Sequence, residues 1–297
     1  MKIIFIGCVK SSYEFLRCLL NNSTVEVVGI ITKEKSIFNA DFCSLKEIAE
    51  NNNISCFIEE KHSEIEMVQW SRNLSADVIY CFGWSQLLKE EMLNLSRLGI
   101  IGYHPAELPK NRGRHPIIWA LTLGLERTAS TFFFMNEGAD SGDIISQEVV
   151  KIDSADDAAS LYEKLIRVAI IQIQDFTAKL VDNTYTRIKQ DHSRATYWRK
   201  RTKRDGVIDW RMPARGIYNL IRALTYPYVG AHFEYKNQEI KVWKAQVVSE
   251  KAQFEDLEPG RIIIVDSKTI DVQCGMGVVR LLNYDWNGKF VKGECLL

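Results

Sequence analysis

Short, continuously apolar segments alternate with helical ones through the first hundred residues, and this alternation constrains the fold more than any other feature of the chain. Lys2–Ile6, Val25–Thr32, Ile54–Ile58, Asp77–Phe82 and Leu98–Tyr103 read as strands buried on both faces. Ser11-Ser12-Tyr13-Glu14 and Ser44-Leu45-Lys46-Glu47 offer capping boxes for two intervening helices. Further helices are expected around Glu64–Arg72 and Lys89–Leu95. Apolar strands alternating with helices imply an α/β, Rossmann-like, mostly parallel sheet covered on both sides. Ligands of such sheets collect at the carboxyl ends of the strands, so chemistry is expected in the loops after Ile6, Phe82 and Tyr103.

The pattern continues through Ala129–Met135, Ile144–Ile152 and a helix from about Ala155 to Val181, then breaks at a basic stretch, His192–Asp205. Beyond it, one helix (Pro213–Ala223) precedes short strands at His232–Tyr235, Glu239–Val247, Arg261–Val265, Thr269–Gln273 and Val278–Tyr284. Close-spaced short strands suggest a small OB-like β-barrel. The expected organisation is a catalytic domain over residues 1–190, a basic linker over 191–206 and a C-terminal barrel over 207–297.

Charge narrows the partners. With 38 Lys+Arg against 38 Asp+Glu the formal net charge is zero, so the chain lacks the basic surplus that gripping a polyanion usually requires. No nucleic-acid partner and no membrane are expected. The seven cysteines, Cys8, Cys18, Cys43, Cys56, Cys81, Cys274 and Cys295, are odd in number, scattered and free of CxxC pairs. This argues against a disulfide framework and for a reducing, cytoplasmic setting. The apolar run at the N-terminus is too short for a signal peptide or a membrane span.

The segment His104-Pro-Ala-Glu-Leu-Pro-Lys-Asn-Arg-Gly-Arg114-His115-Pro116 is the densest in chemistry. It places His104 at the sheet's carboxyl edge beside a rigid, arginine-rich loop, whereas His115 is expected to cap or pack. The segment Glu137-Gly138-Ala139-Asp140-Ser141-Gly142-Asp143 is a tight turn whose carboxylates can orient an imidazole or accept a proton.

Together these segments resemble the folate-dependent formyltransferases, the superfamily that contains methionyl-tRNA formyltransferase and the nucleotide-sugar N-formyltransferases. The resemblance spans almost the whole chain, from Lys2-Ile-Ile-Phe-Ile-Gly7 through Leu108-Pro109, Arg112-Gly113-Arg114 and Asp140-Ser-Gly-Asp-Ile144. It continues in Arg199-Lys-Arg201-Thr202, Ile208-Asp209-Trp210, Asn219-Leu-Ile-Arg222 and Pro227-Tyr-Val-Gly230. It implies formyl transfer from 10-formyltetrahydrofolate to an amine, without a metal. His104 and Asp140 match the family's catalytic histidine and aspartate. The folate is implied at Phe82, Trp84, Gln86 and Leu88 and at the turn carrying Gly138, Asp140 and Asp143.

One position departs from the pattern. Two residues before the histidine the family usually carries an asparagine that helps hold the oxyanion, and here that position is Gly102. Losing one such donor costs roughly 2.7–4 kcal/mol of transition-state stabilisation, so either a backbone N–H, a water or another side chain replaces it or the enzyme is slow, the alternative being a subgroup built around His104 and Asp140 alone.

For the acceptor, the wording Asn111-Arg-Gly-Arg-His-Pro-Ile-Ile-Trp-Ala-Leu121 is most similar to sugar formyltransferases acting on a 4-amino-4,6-dideoxy sugar, including those of pseudaminic-acid-type routes. The expected partner is therefore a small nucleotide sugar, UDP-linked first and dTDP-linked next, for cell-surface glycan biosynthesis. Cys8 and Lys10 after the first strand, with Arg114, Arg199 and Arg201 as cations, are its candidate contacts. Methionyl-tRNA is the alternative acceptor, and a folate-binding or formyl-hydrolysing relative without transfer is the second alternative. In the barrel, Trp243, Cys274 and Trp286 are expected to pack, and the barrel itself to shape the acceptor site or form a homodimer contact.

Overall fold

A computed structural model describes residues 1–36, 40–251 and 256–296. In chain order its regular elements begin with β1 (Lys2–Ile6), α1 (Lys10–Leu20), β2 (Glu26–Thr32), α2 (Lys46–Asn51), β3 (Cys56–Ile58), α3 (Glu64–Asn73), β4 (Val78–Cys81), α4 (Glu90–Leu93) and β5 (Ile100–His104). Next come β6 (Arg112–Gly113), α5 (Pro116–Thr122), β7 (Arg127–Phe134), β8 (Ile144–Lys151), α6 (Ala158–Val181), β9 (Tyr197–Trp198) and α7 (Ala214–Leu224). The chain closes with β10 (Ala231–Tyr235), β11 (Gln238–Ser249), β12 (Ile262–Val265), β13 (Ile270–Gln273) and β14 (Val278–Tyr284).

A seven-stranded sheet in the order β3-β2-β1-β4-β5-β7-β8 carries the first part of the chain. Its first five strands are parallel and β7 runs antiparallel to β5. Alternation along β4 explains the continuous apolar pattern. Tyr80 and Phe82 enter one core with Phe5, Phe15, Phe132 and Phe176, while Ile79 and Cys81 enter another with Ile4, Ile6, Leu88 and Met92. Both faces are therefore buried. Phe82 stands edge-on to Phe132 at 5.1 Å between ring centroids, and Tyr103 lies 4.8 Å from the same ring. This aromatic packing fixes β5 at its carboxyl end.

The two expected capping boxes do not form. Helix α1 begins at Lys10, one residue before the first serine of the expected box. Val9 therefore stands in the cap position, and Ser12, two residues inside the helix, accepts the N–H of Val9 at 3.3 Å and donates to the Phe82 carbonyl at 2.5 Å. Leu45, not Ser44, precedes α2, and its N–H donates to Thr32 Oγ1. The reciprocal box appears instead at α3, where Ser63 Oγ accepts from Glu66 N–H and Glu66 Oε2 accepts from Ser63 N–H at 2.7 Å.

The chain divides into two compact units, one formed by Met1–Pro116, Thr128–Val150 and Glu163–Trp198, the other by Ile117–Arg127, Lys151–Tyr162 and Arg199–Leu297. The second holds a five-stranded antiparallel sheet in the order β10-β11-β14-β13-β12, with the amphipathic helix α7 contributing buried Ile217, Leu220, Ile221 and Leu224. Cys274 is buried there, Trp286 packs against Tyr235 and Phe290, and the indole N–H of half-buried Trp243 donates to Asp285 at 2.8 Å. Among the described residues, no helix is long and apolar enough to cross a membrane.

Candidate active site

Strand β5 ends on His104, whose ring is buried. Its Nε2 lies 2.8 Å from the carbonyl oxygen of Asn111. A carbonyl can only accept, which assigns the ring proton to Nε2 and leaves Nδ1 as the basic nitrogen of the neutral imidazole. Nδ1 faces Asp140 Oδ2 across 3.6 Å, longer than a direct hydrogen bond.

Asp140 sits in the loop between β7 and β8 with φ 51°, a left-handed conformation that Asp tolerates better than most residues. Its Oδ2 accepts the Gly113 N–H at 2.8 Å. Gly113 belongs to the two-residue strand β6, which pairs in parallel with β9. At φ 107°, with Trp198 O only 2.3 Å from where a Cβ would stand, this position admits glycine alone. The stretch expected as a solvated linker thus supplies the strand that holds β6, and β6 holds the aspartate.

Arg112, the other residue of β6, is 1% exposed. Its Nε and Nη2 donate to Gln190 Oε1 at 3.2 and 2.6 Å, Nη1 donates to the Tyr197 hydroxyl at 2.9 Å, and Nη2 lies 3.2 Å from His192 Nδ1. Gln190 Nε2 in turn donates to the carbonyls of Asp140 and Gly142 at 2.9 and 2.6 Å. Sequence reasoning missed Gln190 and Asn111 as parts of the site. Arg112 lay in plain view within the arginine-glycine motif, but Gln190 carries no local signal.

The residues expected at the folate lie in two loops. Phe82 is core, while Trp84 is half-buried and its Nε1 is enclosed without a hydrogen-bond partner among the described residues. Lys33 Nζ lies 5.0 Å from the Trp84 ring centroid. Gln86 is exposed and Leu88 is buried. Gly138 is exposed, its N–H donating to Asn136 Oδ1, and half-buried Asp143 accepts the Phe134 N–H through its carbonyl. An open pocket of about 500 Å³ runs along this turn, lined by Glu90, Leu93, Asn94, Met135, Glu137 and Gly138 among others. Trp84 is not among the residues that line this pocket, and its orphan indole N–H is by itself a donor that suits a flat polar heterocycle.

Of the residues expected at the acceptor, Cys8 is wholly buried with its thiol 3.6 Å from the Gly83 carbonyl, and Lys10 is exposed at the start of α1. Arg114 donates to the Ser85 carbonyl at 2.6 Å, tying the β6 loop to the loop after β4. Arg199 and Arg201 belong to the second unit. Arg199 forks onto Asp205 at 2.9 and 2.5 Å, and Arg201 donates to the Asp205 carbonyl at 2.6 Å. Both guanidinium groups lie over Trp119, at 5.3 and 4.6 Å.

Residues 1–173 match the family model described as "Formyl transferase", and residues 200–294 match "Formyl transferase, C-terminal domain". The chain belongs to the formyl transferase family. A methionyl-tRNA formyltransferase from Clostridium novyi is 30% identical over 97% of this chain and 93% of its own length. Another protein of that name, from Caldanaerobacter subterraneus, is 31% identical over the same shares. Among solved structures, a sugar 3N-formyl transferase crystallised with dTDP and 5-N-formyl-THF superposes with a TM-score of 0.70 at 17% identity, covering 97% of this chain and 99% of the other. An N-formyltransferase from Helicobacter canadensis, in complex with folinic acid and dTDP-3-aminofucose, gives 0.72 at 17% identity over 96% and 99%. These two structures share the fold.

Gly102 is the position where the family resemblance implies an asparagine. It is buried in β5 between β4 and β7, and a Cβ built on it would stand 2.9 Å from Met135 Cγ and 3.0 Å from Phe133 Cζ. The two neighbouring side chains occupy the room that a side chain at residue 102 would need. Among the described residues, no group of three or more His, Cys, Asp or Glu is placed to hold a metal.

Proposed function

We propose that this protein transfers a formyl group from 10-formyltetrahydrofolate to the amine of a nucleotide-linked 4-amino-4,6-dideoxy sugar, with His104 and Asp140 as the catalytic pair. When bound, the folate supplies the formyl carbon. Trp84, Gln86 and Leu88 in the loop after β4, with Gly138, Asp140 and Asp143, would hold it. An amine attacking that carbon must shed a proton, and negative charge grows on the formyl oxygen. Asp140 Oδ2 and His104 Nδ1 share one gap of 3.6 Å, so the proton can be taken there by either group. Because Nε2–H is committed to Asn111, proton traffic through the ring uses Nδ1. The imidazolium formed, with its charge beside Asp140, can then favour the developing oxyanion.

The observation that carries the small acceptor is the state of the basic stretch. Its arginines at 199 and 201 are engaged by Asp205 and Trp119, and Lys203 pairs with Glu239. A tRNA-binding face works by cations that exchange counterions for phosphates, and here three of the stretch's six cations, Arg199, Arg201 and Lys203, already have partners in a chain of zero net charge. Lys10 and Arg114 in the first unit are then the cations proposed to meet the nucleotide's phosphates.

Methionyl-tRNA is the second reading. Sequence similarity favours it over the sugar, since the curated relatives bearing that name align along 97% of this chain at 30–31% identity. Supplying the purified protein with 10-formyltetrahydrofolate and, separately, UDP-, dTDP- and GDP-linked 4-amino-4,6-dideoxy sugars or initiator methionyl-tRNA decides between them. Formylation of a sugar, seen by mass, supports the first reading. Formylation of the tRNA and of no sugar replaces it with the second.

A further inference from the structure

Arg112 is a fully buried guanidinium with no carboxylate within ion-pair distance among the described residues. Burying an unpaired charge is costly, and chains keep such arrangements where a site depends on them. Arg112's donors go to neutral acceptors, and two of them converge on one atom, Gln190 Oε1. This convergence fixes which way round the Gln190 amide lies, because a guanidinium can only donate. The NH2 end must then point the other way, at the carbonyls of Asp140 and Gly142.

Gln190 is 6% exposed, so water does not compete for these bonds. Its amide grips the backbone of the residue whose carboxylate faces His104, and it does so at a φ of 51°, where the loop needs holding. The carboxylate is pinned separately, by the Gly113 N–H from the neighbouring residue of Arg112. One two-residue strand therefore fixes Asp140 twice, once at its side chain directly and once at its main chain through Gln190.

We propose that Gln190, oriented by Arg112, is a positioning residue for formyl transfer that acts through Asp140. It touches neither reactant in this role. It sets the distance between Asp140 Oδ2 and His104 Nδ1 by holding the Asp140 main chain in its left-handed conformation. The proposal rests on the reading of Asp140 as catalytic.

Gln190→Glu is the informative variant. It keeps an acceptor for Arg112, and gives it a counter-charge, while replacing the donor to Asp140 and Gly142 with an oxygen. A displacement of about an ångström at a reacting group costs up to about 100-fold in rate. The expected result is a protein that stays folded, with a melting temperature lowered by the loss of two buried hydrogen bonds, and a kcat lowered about 10–100-fold, measured with 10-formyltetrahydrofolate and whichever amine, UDP-linked amino sugar or methionyl-tRNA, the wild type formylates. In an Asp140→Asn background, followed by single turnover, the same Gln190→Glu change should cost less than about twofold, because a residue that acts through another loses its effect once that partner is gone.

Wild-type kcat in Gln190→Glu overturns the proposal, and so does an equal loss in both backgrounds. An unfolded Gln190→Glu also overturns it, since that variant keeps the Arg112 contact and would show the amide to be needed for folding. Arg112→Lys, which keeps the charge but loses the fork that orients the amide, should lose kcat in the same Asp140-dependent way. If Asp140→Asn alone turns over normally, the catalytic reading of Asp140 fails, an outcome distinct from failure of the Gln190 link.

Discussion

The Nε2–H of His104 donates to the carbonyl of Asn111 at 2.8 Å, and Asn111 holds that carbonyl in place from a left-handed φ of 64°. The side chain of Asn111 contributes little to this beyond a 3.3 Å bond from Thr196 Oγ1. Its tolerance of the left-handed region is what matters. Asn111→Gly should therefore keep turnover within a few-fold of wild type. Asn111→Val puts a β-branched residue where it costs about 1–3 kcal/mol, so it should lower both melting temperature and kcat. Equal activity in the two variants would show that the carbonyl does not orient the imidazole.

His104→Ala and Asp140→Asn should each remove most turnover, by about 10²–10⁴-fold if the group transfers a proton. Circular dichroism and the melting transition should show that both variants stay folded. Near-normal rates in either would remove that residue from the chemistry.

Gly102→Asn restores the residue that the family resemblance implies, yet the position is already filled by its neighbours. With Met135 Cγ at 2.9 Å and Phe133 Cζ at 3.0 Å from the new Cβ, overpacking of about 1–3 kcal/mol is expected. The single variant should be less stable and no faster than wild type. Adding Met135→Ala should recover stability, read as the denaturation midpoint. A tenfold gain in turnover by Gly102→Asn alone would mean that no other group has taken over the missing donor.

The Arg199 guanidinium and the Thr202 N–H hold the Asp205 carboxyl well below the usual carboxylate range. A depressed carboxyl stabilises the fold above its unfolded value, about 3.9, and the contribution fades as pH falls through its folded one. Wild type should thus exceed Asp205→Asn in stability at neutral pH, and the gap should begin to narrow as pH falls below about 4. Salt should narrow it too, since Arg199 is mostly exposed. Parallel acid denaturation curves for the two proteins would refute this.

The strands of the parallel sheet were legible because both of their faces are buried, as at β4, where alternate residues serve two cores. The capping boxes misled because the helices start at Lys10 and Lys46, which puts Val9 and Leu45, not Ser11 and Ser44, in the cap positions. His104 drew notice from its place at a strand end, whereas the choice of Asp140 among the carboxylates of the glycine-rich turn came from the family resemblance. Gln190 could not be read from the sequence: it reaches main-chain carbonyls 48 and 50 residues away, and a glutamine before a basic stretch looks solvated. Strand β9 was hidden for a related reason. Two residues are too few to show a period, and the arginines around them suggested an unstructured connection.

The pairing of β6 with β9 also governs how this polypeptide can be cut. A fragment ending at residue 190 would retain His104, Asp140 and every strand of the large sheet, yet it would lack Tyr197 and Trp198. Arg112 and Gly113 would lose their ladder partners, and the Arg112 guanidinium would be left without the Tyr197 hydroxyl inside a dry interior. The smallest piece able to keep the aspartate's main-chain and side-chain anchors therefore extends through Trp198, beyond the point where the sheet itself is complete.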